Sequence, residues 1–308
     1  MLSLDKVDSS LLMAIADIPG MPTGAFSLRK NGKPVKINVT PNVNILPKDG
    51  QPGIDIFVRA DTKDETVYIP VVVTESGVDD MVYNDFYIGK NAEVVIVAGC
   101  GIHNDGCDDS KHNGIHRFFL EEGANVKYIE KHYGEGSGEG KRILNPVTEA
   151  TLSRGASMNM ETTQIKGVDS TVRTTAAKLM EGSNLVVTEK IMTHGTQYAE
   201  TAFTVELEGD ESSVHVTSRS VATENSLQKF ISNVTGNSKC FGHVECDAII
   251  KDSGRVIAIP EITANCVDAN LIHEAAIGKI AGEQITKLMT LGLTAKEAEN
   301  EIINGFLK

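Results

Sequence analysis

A recurring turn constrains this chain more than any other feature. Lys90-Asn91-Ala92-Glu93-Val94, Gly123-Ala124-Asn125-Val126, Gly155-Ala156-Ser157-Met158, Gly182-Ser183-Asn184-Leu185 and Gly209-Asp210-Glu211-Ser212-Ser213-Val214 each place a turn just ahead of an apolar residue, at a spacing of about 27 to 32 residues. After each turn the chain alternates, as in Val186-Val187-Thr188-Glu189-Lys190-Ile191. Period-two alternation rich in Val, Thr and Ile, bounded by Gly/Asn turns, predicts short β-strands. A repeat of this length argues for stacked units that bury a core only against their neighbours. A β-helix or solenoid is preferred over an ordinary β-sandwich.

The flanks differ. Leu11, Leu12, Ile15 and Ala16 predict a short helix that stops at Pro19-Gly20. Residues 25–98 alternate strands and turns. In the apolar run Val67 to Val73, Pro70 predicts a sheet edge or an irregular strand, because it has no N–H for a ladder. Toward the end, Ile277, Ile280, Ala281, Gln284, Ile285 and Leu288 have helical spacing. Thr294 and Glu297 then form a capping box, ahead of a stripe of Ala298, Ile302 and Phe306. The expected division is residues 1–24 as an N-terminal helical segment, 25–270 as the β core and 271–308 as a C-terminal helical segment. Gly134-Glu135-Gly136-Ser137-Gly138-Glu139-Gly140 lacks the Lys-Ser/Thr ending of a phosphate loop, so it predicts a mobile connector and no nucleotide site.

Composition excludes several function classes. The formal net charge is −13, which disfavours nucleic acid and anionic membrane surfaces as partners. No stretch approaches the roughly 20 apolar residues of a membrane span. The N-terminus, with Asp5 and Asp8, does not resemble a secretory signal, so a cytoplasmic location is expected. The five cysteines then stand for core packing, metal ligands or reactive thiols. The chain has no Trp, which argues against a polysaccharide lyase, the usual enzyme on such a fold.

Three constellations could carry chemistry. Cys100, His103, Cys107, His112 and His116 fall within 17 residues, and thiolate and imidazole are ligands of zinc and of iron. Their spacing matches no standard zinc finger, and the alternative is a polar loop that collects His. Cys240, His243, Glu245 and Cys246 form the second. In a strand, Cys240, Gly242, Val244 and Cys246 would share one face, with His243 and Glu245 on the other. Cys246 is either a thiol to be activated or a small buried hydrophobe. The third is His273-Glu274, read alone as a hydrogen-bonding pair at a helix start.

The order of these C-terminal motifs resembles the SufB/SufD family. The resemblance rests on Glu245-Cys246-Asp247, on Leu271 to Ile280 with its His273-Glu274-Ala275 and Lys279-Ile280, on Glu283-Gln284, and on Asn304-Gly305-Phe306. It implies a right-handed parallel β-helix core with C-terminal α-helices, and a scaffold role in iron–sulfur cluster assembly. It further implies a transient iron–sulfur cluster, a SufC-like ABC ATPase on the C-terminal helices and a dimeric core. A sulfur donor and apo-protein acceptors would complete the set. Turnover of ATP would belong to the partner and not to this chain. Cys246 and Glu274 match the family's assembly residues, with His273 beside them. The family's helical N-terminal extension is mostly absent, and Glu245 stands where the SufB branch has Gln. Both departures suggest a short branch that works as a homodimer in place of a SufB–SufD pair. The Cys/His segment at 100–116 lies outside the family signature and adds a candidate zinc or iron site. The alternative function is a non-catalytic structural partner of the ATPase, with zinc stapling that segment.

Overall fold

The computed structural model describes residues 4–308; residues 1–3 of the expected N-terminal segment lie outside them. Helix α1 (Lys6–Ala16) begins at a reciprocal cap between Asp5 and Asp8. Two antiparallel hairpins follow, β1 (Ala25–Lys30) with β2 (Lys33–Asn38) and β3 (Val43–Pro47) with β4 (Gly53–Val58). Every later pairing is parallel. The next strands are β5 (Glu65–Val73), β6 (Asp79–Ile88), β7 (Glu93–His103), β8 (Ser110–Leu120) and β9 (Asn125–Glu135). Then come the split pair β10 (Arg142–Leu144) and β11 (Val147–Leu152), followed by β12 (Ser157–Lys166), β13 (Ser170–Leu179) and β14 (Asn184–Thr193). The last are β15 (Tyr198–Leu207), β16 (Ser213–Ala222), β17 (Leu227–Gly236), β18 (Phe241–Ile250), β19 (Arg255–Ala264) and β20 (Asn270–Gly278).

The strands alternate between two sheets. One runs in the order β2-β1-β5-β7-β9-β12-β14-β16-β18-β20, the other β19-β17-β15-β13-β10-β8-β6-β4-β3, with β11 between β8 and β13. This is a parallel β-solenoid of about eight coils, as the repeat predicts. The recurring turn explains the stacking. Its first residue adopts a left-handed backbone at Asn91, Gly123, Gly155, Gly182 and Glu211, with φ between 55° and 69°. The next residue is always small and buried: Ala92, Ala124, Ala156, Ser183 and Ser212. Each turn N–H donates to the corner one coil on, as from Gly123 N to Arg154 O at 3.0 Å. Corner geometry and coil stacking are thus set by the same residues.

Inside, the alternation becomes columns. Val94, Val126, Met158, Leu185, Val214, Gly242 and Leu271 are consecutive register partners, and so are Ile96, Tyr128, Met160, Val187, Val216, Val244 and His273. These columns form the core.

The structure corrects three expectations. Pro70 lies in β5, an interior strand between β1 and β7 and not a sheet edge; the irregular-strand alternative holds, because pairing with β1 skips from Tyr68 to Val71. The helical spacing from Ile277 does not start a helix there: Asn270–Gly278 pairs with β18 as the outermost strand, and α2 (Gly282–Met289) begins after it. Ladder hydrogen bonds offered by the preceding coil override a local preference of this kind. Finally, the glycine-rich run at 134–140 packs tightly in place of a mobile connector. A Cβ on Gly136, Gly138 or Gly140 would lie 2.3, 2.3 or 2.1 Å from the carbonyl oxygen of Asn104, Gly106 or Asp108. Gly138→Ala is therefore expected to cost about 1–3 kcal/mol, as overpacking does. An unchanged urea midpoint would refute that packing.

Helix α3 (Ala295–Phe306) starts at the predicted Thr294/Glu297 capping box and packs Ile303 and Leu307 on Val221. α2 buries no residue.

Candidate functional site

The last coil has no successor. Its inner side chains, which would face another coil, are bare: Ile262 on β19 and Ile277 on β20 are exposed. Cys246 lies one coil below, on β18. The register pairs Val244 with His273 and Cys246 with Ala275, so Cys246 and His273 are diagonal neighbours on the inner face. Cys246 is 1% exposed. Burial, with Glu189 and Asp247 adding to it, pushes its thiol up to about 12. The His273 imidazole is held below its usual range by burial and by His243, and its buried Nε2 has no hydrogen-bond partner. A neutral imidazole with an orphan nitrogen beside a thiol is a donor set suited to iron.

Glu274 does not join them. Adjacent strand residues point to opposite faces. Its side chain is 67% exposed on the outside, 3.4 Å from His243 Nε2, and the His243 ring lies 4.9 Å from that of His215. The facing predicted for Cys240 to Cys246 agrees with the burial along β18, where Gly242, Val244 and Cys246 are buried. His273 and Glu274 sit on a strand and not at a helix start.

The segment 100–116 does not gather its five candidate ligands. Cys100 points inward from β7, register partner of His132. His103 points outward, bonded to Glu135 and Asp105 at 3.2 and 2.9 Å. Cys107 is exposed in the turn between β7 and β8. His112 and His116 are buried on β8, where His112 Nδ1 meets Asp80 at 3.0 Å and His116 Nδ1 meets the Tyr128 hydroxyl at 2.8 Å. Burial pushes His116 down to about 4. Among the described residues, no group of three or more His, Cys, Asp or Glu is arranged to hold a metal ion. The zinc staple thus lacks its geometry.

A feature the motifs did not reveal connects to Cys246. The inner column that ends at Cys246 and Ala275 carries Ala98, Glu130, Thr162, Glu189 and Ser218 on the preceding coils. Arg173 reaches across from β13, makes an ion pair with Glu130 and lies 3.9 Å from Glu189. Burial alone would raise Glu130, but Arg173 and His132 hold its carboxyl well below the usual range. Glu189 is raised by burial, which outweighs Arg173; it accepts from Ser218 at 2.8 Å and Thr201 at 3.0 Å. Each of these residues lies seven positions after the left-handed residue of its turn. Aligning the turns would have placed Glu130, Thr162, Glu189 and Ser218 in one column.

Accessibility ranks the thiols. At neutral pH, iodoacetamide is expected to label exposed Cys107 quickly and Cys246 only after unfolding, because a thiol near 12 is roughly one part in 10⁵ thiolate at pH 7. Peptide mass spectrometry reads this directly. Labelling of Cys246 at the rate of Cys107 would show that the terminal coil opens readily.

The architecture defines a parallel β-solenoid with one bare end, where an imidazole on the last coil lies diagonal to a buried thiol on the coil below. The chain belongs to the SufBD family: the family model described as "SUF system FeS cluster assembly, SufBD core domain" matches residues 77–306. Two curated relatives named iron-sulfur cluster assembly SufBD family proteins, from Methanothermobacter thermautotrophicus strains Delta H and Winter, are each 28% identical, over 71% and 76% of this chain. The chain spans only 53% and 57% of their length. A third, from Pyrococcus horikoshii, is 26% identical over 96% of this chain and 92% of its own. Among the described residues, no helix is long and apolar enough to cross a membrane.

Proposed function

We propose that this chain is a scaffold on which iron and sulfide are joined into a cluster at the bare end of the solenoid. Cys246 would take the outer sulfur of a donor's persulfide, the donor leaving as its thiol; a two-electron reductant would then release that sulfur as sulfide to iron held by His273 from the inner face. Glu274 would supply a carboxylate on the outer face. The observation that carries this reading is the placement of buried Cys246 diagonally beside His273, which lies on a terminal coil whose inner face is bare among the described residues.

Burial sets a condition on the chemistry. A thiol near 12 does not attack sulfur donors, since the thiolate is the nucleophile. The layer of β19 and β20 must move, or a cation must approach, before Cys246 reacts. A partner that uses ATP is a natural source of such movement, and this chain carries no phosphate loop of its own. We assign that partner to a SufC-like ABC ATPase on the C-terminal helices. In support, α2 leaves Met289 exposed, and Leu291 just beyond it is 76% exposed, as on an amphipathic surface awaiting a groove.

We further propose that two copies meet through β19 and β20. Outermost strands carry unpaired ladder groups, and here they also bear exposed Ile259, Ile262, Ile272 and Ile277. Ile262→Asp with Ile277→Asp is expected to shift the protein from dimer to monomer in light scattering. A wild-type monomer at tens of micromolar would sink this part.

The whole reading is tested by anaerobic co-purification with the ATPase, followed by iron and acid-labile sulfide assays. Near-equal iron and sulfide supports it; neither metal nor sulfide sinks it. The buried state of Cys246 favours one second reading, a structural partner of the ATPase in which that cysteine only fills the core.

A further inference from the structure

We propose that the opposite end of the solenoid, at its first coil, holds a binding site for a small amphipathic carboxylate. The two hairpins β1–β2 and β3–β4 fold over this coil and leave a cavity of about 350 Å³ between them. That volume lies in the range of small-molecule sites. Its apolar lining includes Ile54 from β4 and Ile69 and Val71 from β5. These keep 5–8% exposure on the side that opens into the cavity. The capping is incomplete, and the missing volume is apolar.

The polar groups in the wall share one character. Ser27, Arg29, Lys48, Gln51 and Asn84 line the cavity, and no Asp or Glu does. Two cations and no anion in the wall stand out in a chain of net charge −13. The matching carboxylates lie outside the lining: Asp80 holds Arg29 Nη2 at 2.8 Å, and Lys48 Nζ pairs with Asp85 at 2.8 Å and with Asp55. Arg29 Nη2 also donates to Gly32 O at 2.8 Å. Its Nε–H is buried and has no acceptor. A buried guanidinium donor left unmade is costly, and a carboxylate is the acceptor-only group that suits it. An apolar body on the apolar lining and a carboxylate on Arg29 satisfy both halves of the cavity. The site stands apart from Cys246, and the proposal does not depend on the assembly function.

Octanoate, octanol and octylamine serve as probes on the full chain, with binding followed by calorimetry and by methyl NMR. Octanoate is expected to saturate one site, with octanol at least tenfold weaker and octylamine not bound. Ile37→Trp, a half-buried residue in the β2 wall of the cavity, should weaken octanoate at least tenfold while the melting temperature holds. Arg29→Lys, which keeps the charge but removes the Nε–H, should narrow the margin of octanoate over octanol; if this variant does not fold, the Ile37→Trp result and the probe series decide. No saturable octanoate binding at millimolar concentration, equal binding of octanol, or undiminished binding to Ile37→Trp would each overturn the proposal.

Discussion

Arg173→Leu is expected to destabilise the protein by about 3–5 kcal/mol, the usual result of removing one partner from a buried ion pair. Arg173 is 3% exposed, as is the Glu130 side chain it pairs with, and it also approaches His132 at 3.3 Å. Without the guanidinium, Glu130 keeps only the Tyr128 hydroxyl at 3.1 Å and the His132 imidazole at 3.5 Å, which burial holds below its usual range. The pH dependence should change sign. In the native protein Glu130 is held below its unfolded value, so its contribution is present above the ordinary carboxylate range and is lost as pH falls. In Arg173→Leu the folded carboxyl rises above its unfolded value. The deficit is then largest at neutral pH and shrinks on acidification, as protonation removes the uncompensated charge. Glu130→Gln added to Arg173→Leu should recover most of the loss. Urea unfolding at two pH values reads all three outcomes. A loss under about 1 kcal/mol would mean that water already enters this column.

That ion pair also marks the limit of what the sequence discloses. Residues 130 and 173 are linked through the stack, and neither stands out within its own strand. The solenoid itself was legible because each corner needs a left-handed residue and then a small one, and Asn91-Ala92 or Gly123-Ala124 meets both needs locally. That Cys240, Gly242, Val244 and Cys246 share a face followed from period-two alternation; that this face points inward comes from the coil register. The cluster at 100–116 misled for the converse reason. His112 and His116 share a strand face, but their partners are Asp80, 32 residues away, and Tyr128, on the next strand. Proximity in sequence suggested a shared ligand, whereas the coil register gives each histidine its own hydrogen bond. Likewise Ile277 has helical neighbours in sequence, and only the preceding coil makes it a strand. The bare terminal coil is a property of stacking and so was not visible as a motif.

The second large effect is expected at Cys246. In complexes purified anaerobically with the ATPase, Cys246→Ser should lower iron and acid-labile sulfide at least tenfold. Folding should survive, because neighbouring Ser218 shows that the column accommodates a hydroxyl beside Glu189; the cost of a poorly paired buried hydroxyl is about 1–3 kcal/mol. Circular dichroism and a melting curve separate this from unfolding. Glu274→Ala should behave differently. Its side chain lies on the outer face, against His243, so it cannot activate the thiol directly. Its loss should deplete iron while sulfur carried on Cys246 persists, seen by mass spectrometry as an added sulfur on the Cys246 peptide. If the two variants lose iron and sulfide in the same proportion, the faces do not divide the chemistry, and the terminal strand must turn over during assembly. If cluster content survives Cys246→Ser, the thiol is core packing and the cluster is held by other ligands.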